Sequence, residues 1–368
     1  MTESVTCYFG SVAETLVKSK LVKNLLQYTV GLGLLAYIIS SNWDTKPGKL
    51  NAKGELGEPS PGLSELFSKP INYSALALAF ILFSLALLLT FVRWHLLVRA
   101  QGLVFPLRNA IRLGLVSFFF NTFLPGSVGG DILKAVAVAR EQNRRTVAIA
   151  TIIIDRIIGL WALALFVVLS GGFFWLIRHP VLMTNEALQT IVLVATTLVT
   201  VSGLLWFSLG FLSPLKMEAI ATKFSTYRKI GGSLAEFWRA CCMYRRKTKE
   251  VLIALGMALL GHIGWVFIFH LCVAAFPHLN LATYAEHMLI VPVGVTAQAA
   301  FPLPGGIGGG EAAYGWLYTL LNRPASSGIV GCLVMRVLAW TVGFVGFLIY
   351  TQLKKEEVTP TEPAQVAA

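Results

Sequence analysis

The strongest constraint on the fold is a glycine-rich motif that occurs twice and interrupts two apolar segments. The first copy, at 124–131, reads Leu-Pro-Gly-Ser-Val-Gly-Gly-Asp, and the second, at 303–311, reads Leu-Pro-Gly-Gly-Ile-Gly-Gly-Gly-Glu. Proline and glycine end helices and permit tight turns. At membrane depth, non-helical backbone is tolerated only where it is buried in protein or lines a polar cavity. The motifs are therefore predicted to form the two tips of the working centre of a membrane protein.

The similarity extends beyond the two loops. Arg156 follows Asp131 by 25 residues, and Arg336 follows Glu311 by the same interval, each inside an apolar segment. The apolar run at 73–92, shifted by 180 residues, also falls on an apolar run. We infer an internal duplication, with repeat one at about 73–177 and repeat two at about 251–353. Two unrelated glycine-rich turns are the alternative, which the agreement in position, acid and arginine disfavours.

Composition places these repeats in a membrane. The chain is 56% hydrophobic and 13% charged, whereas about 25% of the residues in a soluble domain are charged. The net charge of +12 indicates positive cytoplasmic loops and contact with an anionic membrane surface rather than with nucleic acid, for which no motif is present. The prediction is an all-α polytopic membrane protein, a single transmembrane domain over 1–353. About six transmembrane helices are predicted, at 25–40, 73–97, 147–177, 187–212, 251–276 and 329–353.

Two shorter segments are predicted to be re-entrant hairpins, one at 113–140 and one at 288–321. The apolar part at 113–123 reaches only about half of the roughly 30 Å of hydrocarbon, at about 1.5 Å per residue. Positive charge places 93–112, 140–145, 216–249 and both termini in the cytoplasm, with Arg93, Trp94 and His95 as an interfacial anchor. The two repeats are then inverted, as in many transporters. The basic segment at 213–250 is either a helix on the membrane surface or a solvated loop, and 354–368 is predicted to be a disordered tail.

Five ionisable side chains in these segments are candidate site residues: Arg156, Arg336, Asp131, Glu311 and Asp155. Each costs roughly 2.5–3.5 kcal/mol at a helix centre unless it is paired or hydrated. Arginine binds phosphate through two parallel hydrogen bonds, and glycine loops offer backbone N–H groups to anions. A phosphate headgroup in a central cavity between the loops is one interpretation. The other is structural, in which each arginine pairs with a loop acid and holds a hairpin.

The sequence gives little support for metal binding or catalysis. The five cysteines form no metal-binding spacing, and hydrogen bonding or packing between helices is the prediction for His262 and His270. No nucleophile–base pair, Gly-x-Ser-x-Gly elbow or P-loop is present in the sequence. We therefore predict no metal, no cofactor and no catalytic residue, and the sequence favours a protein that is not an enzyme.

At these residues the chain resembles the lysylphosphatidylglycerol synthase transmembrane-region family, also called flippase-like. The resemblance rests on Asn-Thr-Phe-Leu-Pro-Gly at 121–126 with the following Gly-Gly-Asp, on Asp-Arg at 155–156, and on Pro-Leu-Pro-Gly-Gly-Ile-Gly at 302–308 with its glutamate. It implies an integral membrane protein of the bacterial inner membrane that handles phospholipid or polyprenyl-phosphate lipid. The aminoacyl-transferase domain of the bifunctional members is expected to be absent.

The leading functional hypothesis is a lipid flippase or lipid-headgroup transporter. A membrane enzyme or accessory factor that uses polyprenyl-phosphate-linked sugars is the alternative, and a scaffold without transport is a third. The predicted substrate-binding residues are the following: Arg156, Arg336, Asp131, Glu311, Asp155, Asn121, Pro125, Gly126, Gly129, Gly130, Pro304, Gly305, Gly306, Gly308 and Gly309.

Overall fold

A computed structural model describes residues 21–45, 47, 61–124, 129–141, 145–227, 230–277, 279 and 281–358. Every regular element in this part of the chain is helical. The helices are α1 (Leu21–Ser41), α2 (Leu63–Ser68), α3 (Tyr73–Ala100), α4 (Leu107–Phe123), α5 (Gly129–Glu141), α6 (Arg145–Leu176), α7 (Pro180–Met183), α8 (Glu186–Ser208), α9 (Pro214–Ser225), α10 (Gly231–Arg246), α11 (Thr248–Ala274), α12 (Tyr284–Ala300), α13 (Gly309–Leu320) and α14 (Ala325–Val358).

Five of these helices are long and apolar enough to cross a membrane. They are α3, α6, α8 with the short turn that follows it, α11 and α14, and the first apolar segment forms the shorter helix α1. The chain is therefore an all-α polytopic integral membrane protein, and this prediction is confirmed. The predicted tail is helical as far as Val358, because α14 continues to that residue, and 359–368 lie outside the described residues.

The core of the fold is an antiparallel pair formed by α3 and α11, the first helices of the two predicted repeats. At one end Asn72 donates its backbone N–H to the carbonyl of Ala275 (2.8 Å). Further along, the rings of Phe83 and Trp265 lie 4.7 Å apart. Equivalent helices that run in opposite directions support the predicted inverted duplication, whose boundaries stay a prediction.

The packing between the two halves is reciprocal. Helix α4 of the first half packs against α14 of the second, and α12 of the second packs against α6 of the first. The helix lengths also agree, with 17 residues in both α4 and α12, and 13 against 12 in α5 and α13. Helix α4 begins at Leu107 rather than at the predicted 113, because the turn after Pro106 is already helical.

The connection at 101–106 and the segment at 230–247 lie on one side of the bundle, here called the basic side. The basic segment at 213–250 forms two packed helices, α9 and α10, so the alternative of a solvated loop is wrong. Helix α10 docks on the ends of the spanning helices, since the Tyr244 hydroxyl donates to the carbonyl of Leu97 (2.8 Å) and Gln101 Nε2 donates to the carbonyl of Ala240 (3.4 Å). The segment therefore covers the basic side of the bundle.

The membrane crossing by α8 predicts opposite labelling of the exposed positions on its two sides. In a cysteine-free background, Thr184→Cys and Ser225→Cys are expected to react with an impermeant maleimide from opposite faces, with Ser225 on the cytoplasmic face. Removing the native thiols excludes background labelling, although burial raises the pKa of Cys241 to about 11 and so lowers its thiolate fraction. Labelling of both positions from the same face would contradict the topology.

Candidate functional site

The end of α4 meets the second hairpin tip inside the bundle. The first tip joins α4 to α5, and the second is the short 3₁₀ turn Pro304–Gly306 between α12 and α13. A Cβ atom added to Gly305 would lie 2.8 Å from the carbonyl oxygen of Thr122, which shows how closely the second tip approaches the end of α4. Pro125 and Gly126, two of the predicted site residues, lie outside the described residues.

Helix α1 covers the junction between the end of α4 and the second tip. Gln27 Nε2 donates to the carbonyl of Pro302 (3.2 Å), and the Tyr28 hydroxyl donates to the carbonyl of Phe123. Gly31 packs against Leu303. One helix therefore contacts the end of α4 through Tyr28 and the second hairpin through Gln27 and Gly31.

The second tip needs glycine for its backbone geometry. Gly305, Gly306 and Gly308 have φ angles of 55°, 66° and 81°, in the left-handed region that side chains other than glycine rarely adopt. Gln298 Nε2 donates to the carbonyl of Gly305 (3.0 Å). The motif therefore codes for a specific folded turn, which the side chain of Gln298 holds.

Arg336 forms a buried ion pair next to the second tip. Its Nε donates to Glu311 Oε1 (2.6 Å), while Nη1 and Nη2 donate to the carbonyls of Gly305 (3.0 Å) and Gly306 (3.4 Å). Glu311 accepts a further bond from the backbone N–H of Gly308 (2.8 Å). The side chains of Arg336 and Glu311 are 4% and 0% exposed, so the pair joins α14 to the turn and to the first turn of α13.

Arg156 forms the equivalent pair in the first half. Its Nε and Nη2 both lie 2.6 Å from Asp131 Oδ2. Asn121 holds the start of α5, because its Oδ1 accepts from the N–H of Gly130 (2.8 Å) and its Nδ2 donates to Asp131 Oδ1 (3.4 Å). Ser117 also donates to Asp131 Oδ1 (3.5 Å). The pairing that the 25-residue interval suggested is therefore present in both halves.

The two pairs differ in exposure. The Arg156 side chain is 51% exposed, against 4% for Arg336. On α6, Arg156 shares one face with Ile149, Ile153 and Leu160, which are 37%, 43% and 58% exposed. The first pair therefore opens towards the outside of the bundle, where an apolar stripe surrounds it, and the second is enclosed.

Asp155, the remaining predicted acid, faces inward. It accepts from Arg93 Nε (2.8 Å) and Nη2 (3.2 Å), and both residues are buried. The prediction of an interfacial anchor at 93–95 is wrong for Arg93 and Trp94, because the partner of Arg93 lies on α6. Next to them, the Lys134 ammonium lies 3.6 Å from the centre of the Trp94 ring, whose Nε1 donates to Thr151 (3.3 Å).

Comparison with known proteins identifies the family. The family model described as lysylphosphatidylglycerol synthase TM region matches residues 65–346. The chain belongs to this family. The UPF0104 membrane protein PH1989 of Pyrococcus horikoshii is 20% identical over 299 residues, which cover 76% of this chain and 87% of that protein. No solved structure matches the chain significantly.

The family match spans both hairpins and both arginine–acid pairs, and it indicates a lipid-related function in a membrane. His262 and His270 both have partners within the protein. His262 Nε2 donates to the carbonyl of Gly159 (3.1 Å), the predicted kind of helix–helix bond, and His270 Nδ1 lies 2.9 Å from His287 Nδ1. Within the described ranges, no group of three or more metal-binding side chains is found.

Proposed function

We propose that this family member carries a lipid with a phosphate headgroup between the two leaflets, and that the headgroup contacts Arg156 beside the hairpin tips. The observation that carries the proposal is the exposure of the Arg156 side chain, which is 51%. Arg156 lies about 16 Å along α6 from Arg145, at about 1.5 Å per residue, which is well inside a bilayer core of about 30 Å. An exposed charge at that depth is costly and marks a functional position.

The chemistry of the first pair suits exchange with a phosphate. Two N–H groups of Arg156 converge on a single oxygen of Asp131, while the other oxygen of Asp131 accepts from Asn121 and Ser117. A phosphate oxygen that replaces Asp131 Oδ2 would keep both guanidinium bonds, and Asn121 and Ser117 would still hold the displaced carboxylate. Acyl chains would remain in lipid against the exposed apolar stripe on α6.

The second pair has a different proposed role. Arg336 was predicted to bind the headgroup together with Arg156. Its donors are directed at Glu311 and at two tip carbonyls, inside the protein. We therefore assign Arg336 and Glu311 to the support of the tip glycines, Pro304 to Gly309, and the binding role to the first half, including Gly129 and Gly130. We place the basic side, both termini and α10 in the cytoplasm.

Reconstituted transport tests this proposal. In liposomes that carry fluorescent phosphatidylglycerol or a labelled polyprenyl phosphate, Arg156→Gln is expected to lower the rate of movement between leaflets about tenfold or more, the scale for losing one partner of a charged contact. Arg156→Lys is expected to restore part of the rate, because an ammonium cannot reproduce the guanidinium fork. Dithionite quenching of the label measures the rate.

Arg239→Gln is the matched control. Arg239 forms an equivalent arginine–carboxylate pair with Glu218, but both side chains are about half exposed on the surface of α9 and α10. Transport in this variant should equal that of the unmodified protein. A normal rate in Arg156→Gln, or an equal loss in Arg239→Gln, would contradict the proposed site. An unmodified protein that moves neither lipid would contradict the proposed function.

A further inference from the structure

The two halves of the bundle share their ion pairs but not the polar cluster beside the first pair. The cluster consists of Arg93, Trp94, Lys134, Thr151 and Asp155. Shifting each position by the 180 residues that relate the repeats gives Val273, Ala274, Tyr314, Gly331 and Met335. The second half therefore has apolar, aromatic or small residues at each of these positions. Because the duplicated half folds without the cluster, the helical framework alone does not explain its charges.

The cluster holds one more positive charge than negative charge. Arg93 and Asp155 neutralise each other through two hydrogen bonds, and Arg156 and Asp131 form the neighbouring pair. Lys134 is 7% exposed, and among the described residues no carboxylate lies within ion-pair distance of its ammonium. The ammonium lies over the face of the Trp94 ring, 3.6 Å from its centre. A buried charge without a counter-ion is unfavourable, and an aromatic face compensates only part of that.

The position of Lys134 links this charge to the first ion pair. Lys134 follows Asp131 by three residues on α5, so the two side chains lie one turn apart, with Lys134 nearer the basic side. The order from the basic side inward is thus Lys134, then Asp131 with Arg156. An anion that enters from the leaflet on the basic side meets Lys134 before it meets Arg156.

We propose that Lys134 is the counter-ion of a phosphate ester, and that Lys134 with Trp94 forms the entry subsite for a lipid headgroup on the basic side. This inference rests on the proposed lipid-carrying function and adds to it a second cation and a direction of approach. Trp94 is a neutral partner, which an anion can displace without leaving another charge unpaired. The corresponding place in the second half, at Tyr314 stacked on Phe269 (4.4 Å), offers no cation and binds no phosphate.

Lipid-dependent melting in detergent tests the inference. The unmodified protein should melt at a higher temperature when phosphatidylglycerol is added, because a ligand of the folded state stabilises it. Lys134→Gln should bind that lipid about tenfold or more weakly, and Lys134→Arg should retain most of the binding. Without lipid, Lys134→Gln should melt no lower than the unmodified protein, since it removes an uncompensated charge. If Lys134 has only a structural role, Lys134→Gln should instead melt at a lower temperature without lipid and bind the lipid normally.

Tyr314→Phe is the matched control in the second half, and its response to phosphatidylglycerol should be unchanged. Water-soluble glycerol phosphate is the second probe. If it raises the melting temperature as much as phosphatidylglycerol does, the claim that the bound phosphate belongs to a lipid is wrong. Full lipid dependence in Lys134→Gln, with loss in Arg156→Gln, would overturn the inference while the proposed function stands. If the unmodified protein responds to no phosphate lipid in melting or transport, both fail together.

Discussion

Arg336→Gln is expected to lower the stability of the folded protein by about 3–5 kcal/mol, the cost of breaking a buried ion pair by removing one partner. Glu311 is 0% exposed, so its carboxylate would remain buried without its cation. The carbonyls of Gly305 and Gly306 would lose donors as well. Thermal melting of the purified protein in detergent measures the change, and extraction yield should fall with it.

A double-mutant cycle separates the pair from other effects of the substitution. Glu311→Gln in the same chain is expected to recover part of the stability lost in Arg336→Gln, because the uncompensated charge disappears. Arg239→Gln, which breaks an exposed pair, should change melting little. If Arg336→Gln and the double variant both have the melting temperature of the unmodified protein, this pair does not stabilise the second hairpin.

Gly130→Ala is the second substitution with a large expected effect. A Cβ atom at this position would lie 1.9 Å from the carbonyl oxygen of Ser117, a backbone atom that cannot rotate away. Helix α5 would have to move away from α4, which would stretch the hydrogen bond from the Gly130 N–H to Asn121 and displace Asp131. Overpacking of this kind lowers the stability of the folded protein by about 1–3 kcal/mol. The transport rate of the protein that remains folded should also fall, because Asp131 positions Arg156.

Gly256→Ala provides the control for this change. Gly256 lies in α11 with no atom within 4 Å of an added Cβ, and alanine in a helix is about 0.5–1 kcal/mol more favourable than glycine. This variant should therefore melt at an equal or higher temperature and transport normally. A Gly130→Ala protein with normal melting and normal transport would show that α4 and α5 can separate freely at this point.

The hairpins and their ion pairs could be predicted because the signals are local or repeated. The glycine motifs mark the tips. The interval from acid to arginine is the same in both copies, which predicts the same contact in each half. The hydrogen bonds of Arg156 and Arg336 follow that expectation. The difference in their exposure could not be predicted, because both copies of the motif have the same interval from acid to arginine and each arginine lies in an apolar segment.

The polar cluster was missed for a physical reason. Arg93 lies near the end of a spanning helix, where an interfacial anchor is the usual interpretation, and its partner on α6 is 62 residues away. On α5, by the rule for water-soluble helices, apolar Ile132 would face protein and charged Lys134 would face water. In the structure Ile132 is 45% exposed and Lys134 is buried. Inside a membrane the usual assignment reverses, since the apolar face can turn to lipid and the charged face to protein.

The difference between the two halves has a consequence for how transport saturates. A carrier without an energy source must run equally fast in both directions when the lipid is at equal concentration on both sides. Equal rates at equal lipid concentration do not require equal affinity for the lipid in the two leaflets. A cationic entry subsite in one leaflet and an apolar counterpart in the other predict two half-saturation concentrations, the lower on the side of Lys134. Flux out of that leaflet should then level off at low lipid density, whereas flux in the other direction should keep rising as lipid is added.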